Sequence, residues 1–322
     1  MKVEVLVLSS QYDFSSDFIC DRLRENKVPF LRINRDHLGN SNWHLTLDPV
    51  AAVLRVTGFH EEWVVNGDSL KSVWFRQPVF LRNTTHSTSP QDQLVRSQWM
   101  GFLRGLSVFE DALWANHPKA TYLAESKPYQ LRIASKLGFN IPATTITNDR
   151  ASLLYDAIFP DKLILKAVDT VLLREDQDTL FPYSSITHLS EWTDIDFFSA
   201  PVICQQLLNP KIDLRVTVIG EIIYCVRIVE DNKGIEGDWR LRPKDKLVFE
   251  PHALSSQDAK KCLSLCRTLG LSFAAIDLAE TKDGLYFIEV NPTGEWGWLN
   301  GPNCQIEHAI CDFLISPKSQ FT

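Results

Sequence analysis

Ala275-Ile276-Asp277-Leu278-Ala279 and, beyond a turn at Thr281-Lys282-Asp283-Gly284, Leu285-Tyr286-Phe287-Ile288-Glu289-Val290-Asn291-Pro292 read as two apolar strands of a hairpin that carry oxygen-bearing side chains. Side chains alternate along a strand, so Glu289 and Asn291 point to one face. A three-residue loop of Lys282, Asp283 and a left-handed Gly284 would set Asp277 opposite Glu289. Three oxygen donors then converge. Two carboxylates and a neutral amide are hard ligands that suit Mg²⁺, which draws further ligands from nucleotide phosphates and water. The same residues also suit the solvated face of an ordinary hairpin, so the metal reading depends on what the rest of the chain supplies.

Working outward, residues 214–219 and 222–229 flank Gly220-Glu221 and predict another hairpin. Residues 255–269, closed by Gly270, predict an amphipathic helix. Residues 162–168 form an apolar run with Lys166 inside it, and residues 201–208 form another, interrupted by Gln205-Gln206. Charged or amide groups within such runs need partners. Ser126 is placed to cap a helix with Pro128 in its first turn and Gly138 at its end, which puts Lys127 at a helix N-terminus. At the start of the chain, residues 3–9, a helical pattern through Phe18, Ile19 and Leu23, and residues 30–33 predict a β-α-β opening. No Gly-x-Gly-x-x-Gly follows its first strand, so a dinucleotide site there has little support. Ser89-Pro90-Gln91-Asp92 supplies an N-cap, a proline at N1 and an acid at N3. It predicts a long helix burying Leu94, Phe102, Leu106, Phe109 and Leu113.

With 322 residues the chain exceeds one ordinary core. Trp114-Ala115-Asn116-His117-Pro118 breaks the pattern and marks a boundary, giving expected modules at 1–115, 116–200 and 201–322. The fold class expected is α/β (α+β). A net charge of -7 argues against a broad phosphate-backbone surface, so no nucleic-acid partner is expected. No window approaches the roughly 20 apolar residues of a membrane span. Seven cysteines without Cys-x-x-Cys spacing fit a reducing cytoplasm and no structural zinc.

Taken together, Glu289-Val290-Asn291-Pro292 after a strand, Asp277 on the preceding strand, Asp213-x-Arg215 opening a hairpin and Lys166 within a strand resemble the ATP-grasp superfamily, most closely its ribosomal-protein glutamate ligase branch. Within that branch the sequence is similar to the maturases of microviridin-type graspetides. Shared phrases are Ser72-Val73-Trp74-Phe75-Arg76-Gln77-Pro78, Trp114 to Pro118, Lys127-Pro128-Tyr129-Gln130-Leu131, Ile141-Pro142-Ala143-Thr144-Thr145 and Gly294-Glu295-Trp296-Gly297-Trp298. The resemblance covers nearly the whole chain and implies an ATP-grasp fold with an N-terminal pre-ATP-grasp domain, a central subdomain and a C-terminal subdomain carrying the phosphate and metal site.

The resemblance also implies roles. Lys127 and Lys166 match the two phosphate-binding lysines, and Gln205-Gln206-Leu207-Leu208 matches the hinge that holds adenine. Asp213 is assigned to the nucleotide site. Arg215 and Arg240 match arginines facing the transferred phosphoryl group, a task suited to planar, permanently charged guanidinium groups. Asp277, Glu289 and Asn291 would hold Mg²⁺. The implied activity uses ATP to make an acyl phosphate from a carboxylate, which a hydroxyl or amine then attacks. For a graspetide maturase the partner is a precursor peptide with leader and core, and relatives suggest a homodimer. An amino-acid ligase acting on a peptide or small acid, and a non-catalytic peptide- or nucleotide-binding module, are the competing expectations. One departure from many ATP-grasp enzymes is that no glycine occurs between Gly138 and Gly220, so the polar segment 169–182, with Glu175, Asp176 and Asp178, stands where a glycine-rich lid would be.

Overall fold

β1 (Val5–Ser9) is buried along its whole length, as expected of a parallel strand covered on both faces. The computed structural model describes residues 1–58, 61–76, 89–155, 162–169, 173–175, 178–180, 183–193, 199–299 and 304–316. After β1 and the helix Ser15–Glu25 come β2 (Phe30–Asn34), an antiparallel meander of β3 (Asn42–Leu47), β4 (Ala52–Gly58) and β5 (Glu61–Asn66), then β6 (Ser72–Phe75), the helix Pro90–Gly105 and β7 (Leu113–Ala115). The parallel sheet runs β2-β1-β6-β7.

The helix Pro90–Gly105 starts as its capping residues dictate: Ser89 Oγ accepts the Asp92 N–H and donates to the Asp92 carboxylate. Its inward stripe differs from the expected one. Met100 and Leu103 are buried, whereas Leu94 is 54% exposed. Phe102 packs at the core's edge. Leu106 and Phe109 are buried beyond the helix end, and Leu113 belongs to β7. The apolar period continues past Gly105 because the following short 3₁₀ turn faces the same core.

The middle of the chain holds the helices Pro118–Ala124 and Lys127–Lys136, β8 (Thr144–Thr147), the helix Arg150–Tyr155, β9 (Lys162–Lys166), a short antiparallel pair β10 (Leu173–Glu175) and β11 (Asp178–Leu180), β12 (Ser185–His188) and β13 (Val202–Gln206). β12, β9, β13 and β8 form one antiparallel sheet in that order. The boundary expected at 200 therefore falls before the last strand of this sheet. Ser126 occupies the N-cap position of its helix without making a side-chain capping bond.

β14 (Ile212–Ile219), β15 (Ile222–Glu230), β16 (Leu247–Pro251), the helix Ser256–Leu269, β17 (Phe273–Thr281) and β18 (Gly284–Asn291) complete a sheet ordered β16-β15-β14-β17-β18. Ser255 caps the helix on the Asp258 N–H, and Gly270 ends it at φ 71°. Its apolar face packs on the sheet together with Ala124, Leu131, Ile133 and Ala134. The last described helix, Ile306–Ile315, returns to the N-terminal sheet and shares a core with Val5, Ile19 and Trp74. Cores thus cross the segment boundaries drawn from sequence. No helix among the described residues is long and apolar enough to cross a membrane.

Candidate active site

The hairpin that opened the sequence reading reaches its expected pairing by an unexpected route. Its turn has two residues, Lys282 and Asp283, with Thr281 opposite Gly284. That register alone would misalign the strands, but a bulge between Asp277 and Leu278 absorbs the difference and sets Asp277 opposite Glu289. The bulge also fixes orientation. Phe287 and Val290 both point into the core, while Ile288, Glu289 and Asn291 line the cleft. Strict alternation from Phe287 would have buried Glu289.

Across the sheet, Arg215 on β14 lies opposite Asp277 on β17, which lies opposite Glu289 on β18. The three form a transverse row. Arg215 Nη1 donates to Asp277 Oδ1 at 2.8 Å, and Arg240 Nη2 donates to Asp277 Oδ2 at 2.7 Å. Arg240 Nη2 also lies 3.6 Å from Glu289 Oε1, and Asn291 Nδ2 donates to that oxygen at 3.2 Å. Burial pushes the Asp277 carboxyl up, but the Arg215 and Arg240 guanidinium groups overcome this and hold it below the usual carboxylate range. Asp277 is accordingly ionised at neutral pH.

The row opens onto a cavity of about 450 Å³ between the middle and C-terminal sheets. Lys127, Lys166, Gln205, Gln206, Leu207 and Leu208 line it, as do Asp213, Arg215, Arg240, Asp277, Glu289 and Asn291. The structure therefore brings all twelve sequence-selected residues to one place. Lys127 Nζ donates to the Ala167 carbonyl at 3.3 Å, beside Lys166. Desolvation pushes the Lys166 ammonium below its ordinary value, partly countered by Glu289 and Asp238. Gln205 Nε2 donates to Thr144 Oγ1 at 2.9 Å and Gln206 Oε1 accepts the Ala143 N–H at 3.3 Å, so both amides are engaged with the segment entering β8. Burial raises the Asp213 carboxyl to about 6 against the pull of Lys211, with which it forms an ion pair.

Asp277, Glu289 and Asn291 fit a magnesium ion in donor chemistry: carboxylate and amide oxygens on one face, with no soft ligand among them. Among the described residues no three His, Cys, Asp or Glu side chains are grouped as for a metal held by those types alone. The third donor is an amide, and Arg240 occupies the space between the carboxylates.

Several contributors went unassigned in the sequence. Arg76, at the end of β6, donates to the Thr293 and Gly294 carbonyls at 2.8 and 3.3 Å and to Glu295 Oε1 at 2.7 Å. A side chain on Gly294 would place Cβ 2.4 Å from Ala275 Cβ and 2.9 Å from Arg215 Nη2, so this position admits no Cβ without displacing the row. Asn116 is fully buried and bonds the backbone of Ser272, Phe273 and Pro292. Trp296 is core packing. Trp298 does border the cavity, with Phe249 and Trp239 rings at 4.8 and 5.4 Å. Gln77 and Pro78 lie outside the described residues, as does half of the 169–182 segment, including Asp176; β10 and β11 pair Glu175 with Asp178.

Residues 165–299 match the RimK-like ATP-grasp domain family. The chain also superposes on an ATP-grasp ligase associated with ribosomal peptides from Chryseobacterium gregarium, in complex with ADP and a leader and core peptide, with a TM-score of 0.84, 22% identity, and 99% of this chain and 100% of that one covered. The fold is the ATP-grasp fold. The macrocyclase MdnC from Microcystis aeruginosa, bound with precursor peptide MdnA, matches with a TM-score of 0.81 and 20% identity over 99% of this chain and 100% of that chain. The ATP-grasp ligase PsnB, complexed with a phosphomimetic minimal precursor, Mg and ADP, matches with a TM-score of 0.75 and 18% identity over 97% and 98%. No curated protein matches by sequence. The cavity lies between the two sheets of residues 144–206 and 212–291, and β1–β7 precede both in the chain.

Proposed function

We propose that this protein is an ADP-forming ATP-grasp ligase that macrocyclises a ribosomally made precursor peptide, joining Asp or Glu side chains to Ser/Thr hydroxyls or Lys amines. The observation that carries the reading is the transverse row Arg215–Asp277–Glu289, with Asn291, Arg240 and Lys166 facing the same cavity. Full-length likeness to peptide-bound ligases supports the choice of substrate.

Lys127 and Lys166 approach the phosphates, and the segment 205–208 takes the adenine, its base edge read chiefly by backbone because the glutamine amides are engaged elsewhere. Asp277, Glu289 and Asn291 would hold Mg²⁺, which supplies charge neutralisation across the phosphates. Arg215 and Arg240 offset charge as the γ-phosphoryl moves to the substrate carboxylate. The resulting acyl phosphate is attacked by a hydroxyl or amine, and inorganic phosphate leaves. Positioning and a water-poor cleft supply most of the help, so no general base is assigned. Seven free cysteines fit a cytoplasmic location, and a homodimer is part of the same reading.

Incubation of the protein with Mg·ATP and a candidate precursor, followed by intact mass measurement, tests the proposal. Loss of one water per ring, with stoichiometric ADP, is expected. A peptide that gains mass points to amino-acid ligation instead, and no ADP release with any peptide would leave a binding module.

A further inference from the structure

β18 is the last strand of its sheet, so among the described residues the outward N–H and C=O groups of the segment carrying Glu289 and Asn291 face no neighbouring strand, a single bridge from Asn140 to Tyr286 lying nearer the turn. An open edge of this kind frays and invites foreign pairing. Here a side chain takes the place of a strand. Gln130, 3% exposed, accepts the Val290 N–H on Oε1 at 3.0 Å and donates from Nε2 to the Val290 carbonyl at 2.8 Å. A primary amide carries one acceptor and two donors in the geometry of a peptide group. The second donor goes to the Ala124 carbonyl. Nearer the turn, the Asn140 carbonyl accepts the Phe287 N–H at 2.8 Å.

We infer that Gln130 is a positioning residue for the magnesium site, an amide clamp that holds Val290, and with it Glu289 and Asn291, at a fixed distance from Lys127. This rests on the ligase reading above. Gln130 and Lys127 share the helix Lys127–Lys136, one turn apart, so the helix that presents a phosphate-facing ammonium at its N-terminus also grips the backbone between the two metal ligands on β18. Neither residue on β18 can shift along the strand without breaking two buried hydrogen bonds. A clamp of any apolar shape would fill the space but would not fix this register. Glutamate keeps the size and the acceptor for the Val290 N–H while turning a carboxylate oxygen toward two carbonyls, so it separates packing from pairing.

The test uses the full chain as wild type, Gln130→Leu and Gln130→Glu. Amide exchange followed by mass spectrometry over residues 285–292, and calorimetric binding of ADP titrated with Mg²⁺, are both measured. In the wild type the strand exchanges slowly despite its edge position. In both variants that segment alone exchanges faster, and the Mg²⁺ concentration for half-maximal enhancement of ADP binding rises about tenfold, while ADP affinity without Mg²⁺ is unchanged. Fast exchange in the wild type overturns the clamp. Faster exchange with unaltered Mg²⁺ dependence overturns the positioning role and leaves a structural cover. Should the leucine variant not fold, the glutamate variant decides alone. Wild-type ADP binding that ignores Mg²⁺ sinks the ligase reading itself, and the positioning role with it, whatever the exchange data show.

Discussion

The two walls of the cleft are built differently. The C-terminal wall, β14 with β17 and β18, is tied down from three directions: Asn116 bonds both strands at the open end of the β17–β18 hairpin, Gln130 pairs the outer edge of β18, and Arg76 holds the loop after Asn291. The middle wall, β8 with β9, β12 and β13, has a small core of its own around Leu153, Leu163, Leu165, Leu189 and Cys204. Among its ties to the facing wall, Lys162 and Asn209 both reach Glu236 in exposed contacts at 2.7 and 3.1 Å. Such contacts contribute little. The wall carrying Arg215, Asp277 and Glu289 is therefore preorganised, and the expectation to test is that the middle wall is the one that adjusts when nucleotide enters.

The largest expected effect breaks the preorganised row. Glu289→Ala should lower peptide-dependent ADP release by about 10³-fold or more, the scale of losing a charged element of phosphoryl transfer, with circular dichroism unchanged. Activity within a few-fold of wild type would remove the carboxylate from the mechanism. Gly294→Ala comes next. Its methyl group must push Ala275 or Arg215 aside, and a displacement near 1 Å in a catalytic group is worth about 10²-fold in kcat. The loss should appear in kcat with KM for ATP largely kept, because the adenine wall is untouched; an equal loss in ATP binding would mean the walls are coupled more tightly than described.

What the sequence made legible follows the same division. Alternation along β18 put Glu289 and Asn291 on one face, since that pattern is local. The pairing of Asp277 with Glu289 was reached with a loop one residue too long, and the bulge that compensates is set by the burial of Phe287 and Val290 together, a tertiary demand with no local signature. Asn116 and Gln130 stood inside recognisable phrases, yet apart from the Ala124 carbonyl their backbone partners lie 156 to 176 residues away, which no spacing discloses. Leu94 misled because the helical period runs through the exposed first turns of Pro90–Gly105 as well as through its packed end. The boundary read at 200 stands before β13, whose pairing with β8 and β9 is a long-range register that composition does not carry.

The smallest effect probes the seam between the walls. Asp213 sits on β14, the rigid side, but faces the cavity, and burial raises its carboxyl to about 6 from 3.8 despite Lys211. Between about pH 4 and 6 the folded protein therefore holds a proton that the unfolded chain has released, so the contribution of Asp213 to stability falls as pH rises through that window and is level above it. Asp277 acts oppositely: its carboxyl is depressed, so its contribution is present above 3.8 and is lost as pH falls through the folded value. The two windows do not overlap. Asp213→Asn removes the first term alone, and its melting temperature relative to wild type should climb from pH 4 to pH 6 and then stay constant. In free energy the climb should be about 1–3 kcal/mol, and the loss of the Lys211 partner shifts the whole curve equally at every pH without changing the climb. A difference that stays flat across pH 4 to 7 would mean water already reaches this carboxylate, placing Asp213 with the adjustable wall and moving the seam one strand deeper into the C-terminal sheet.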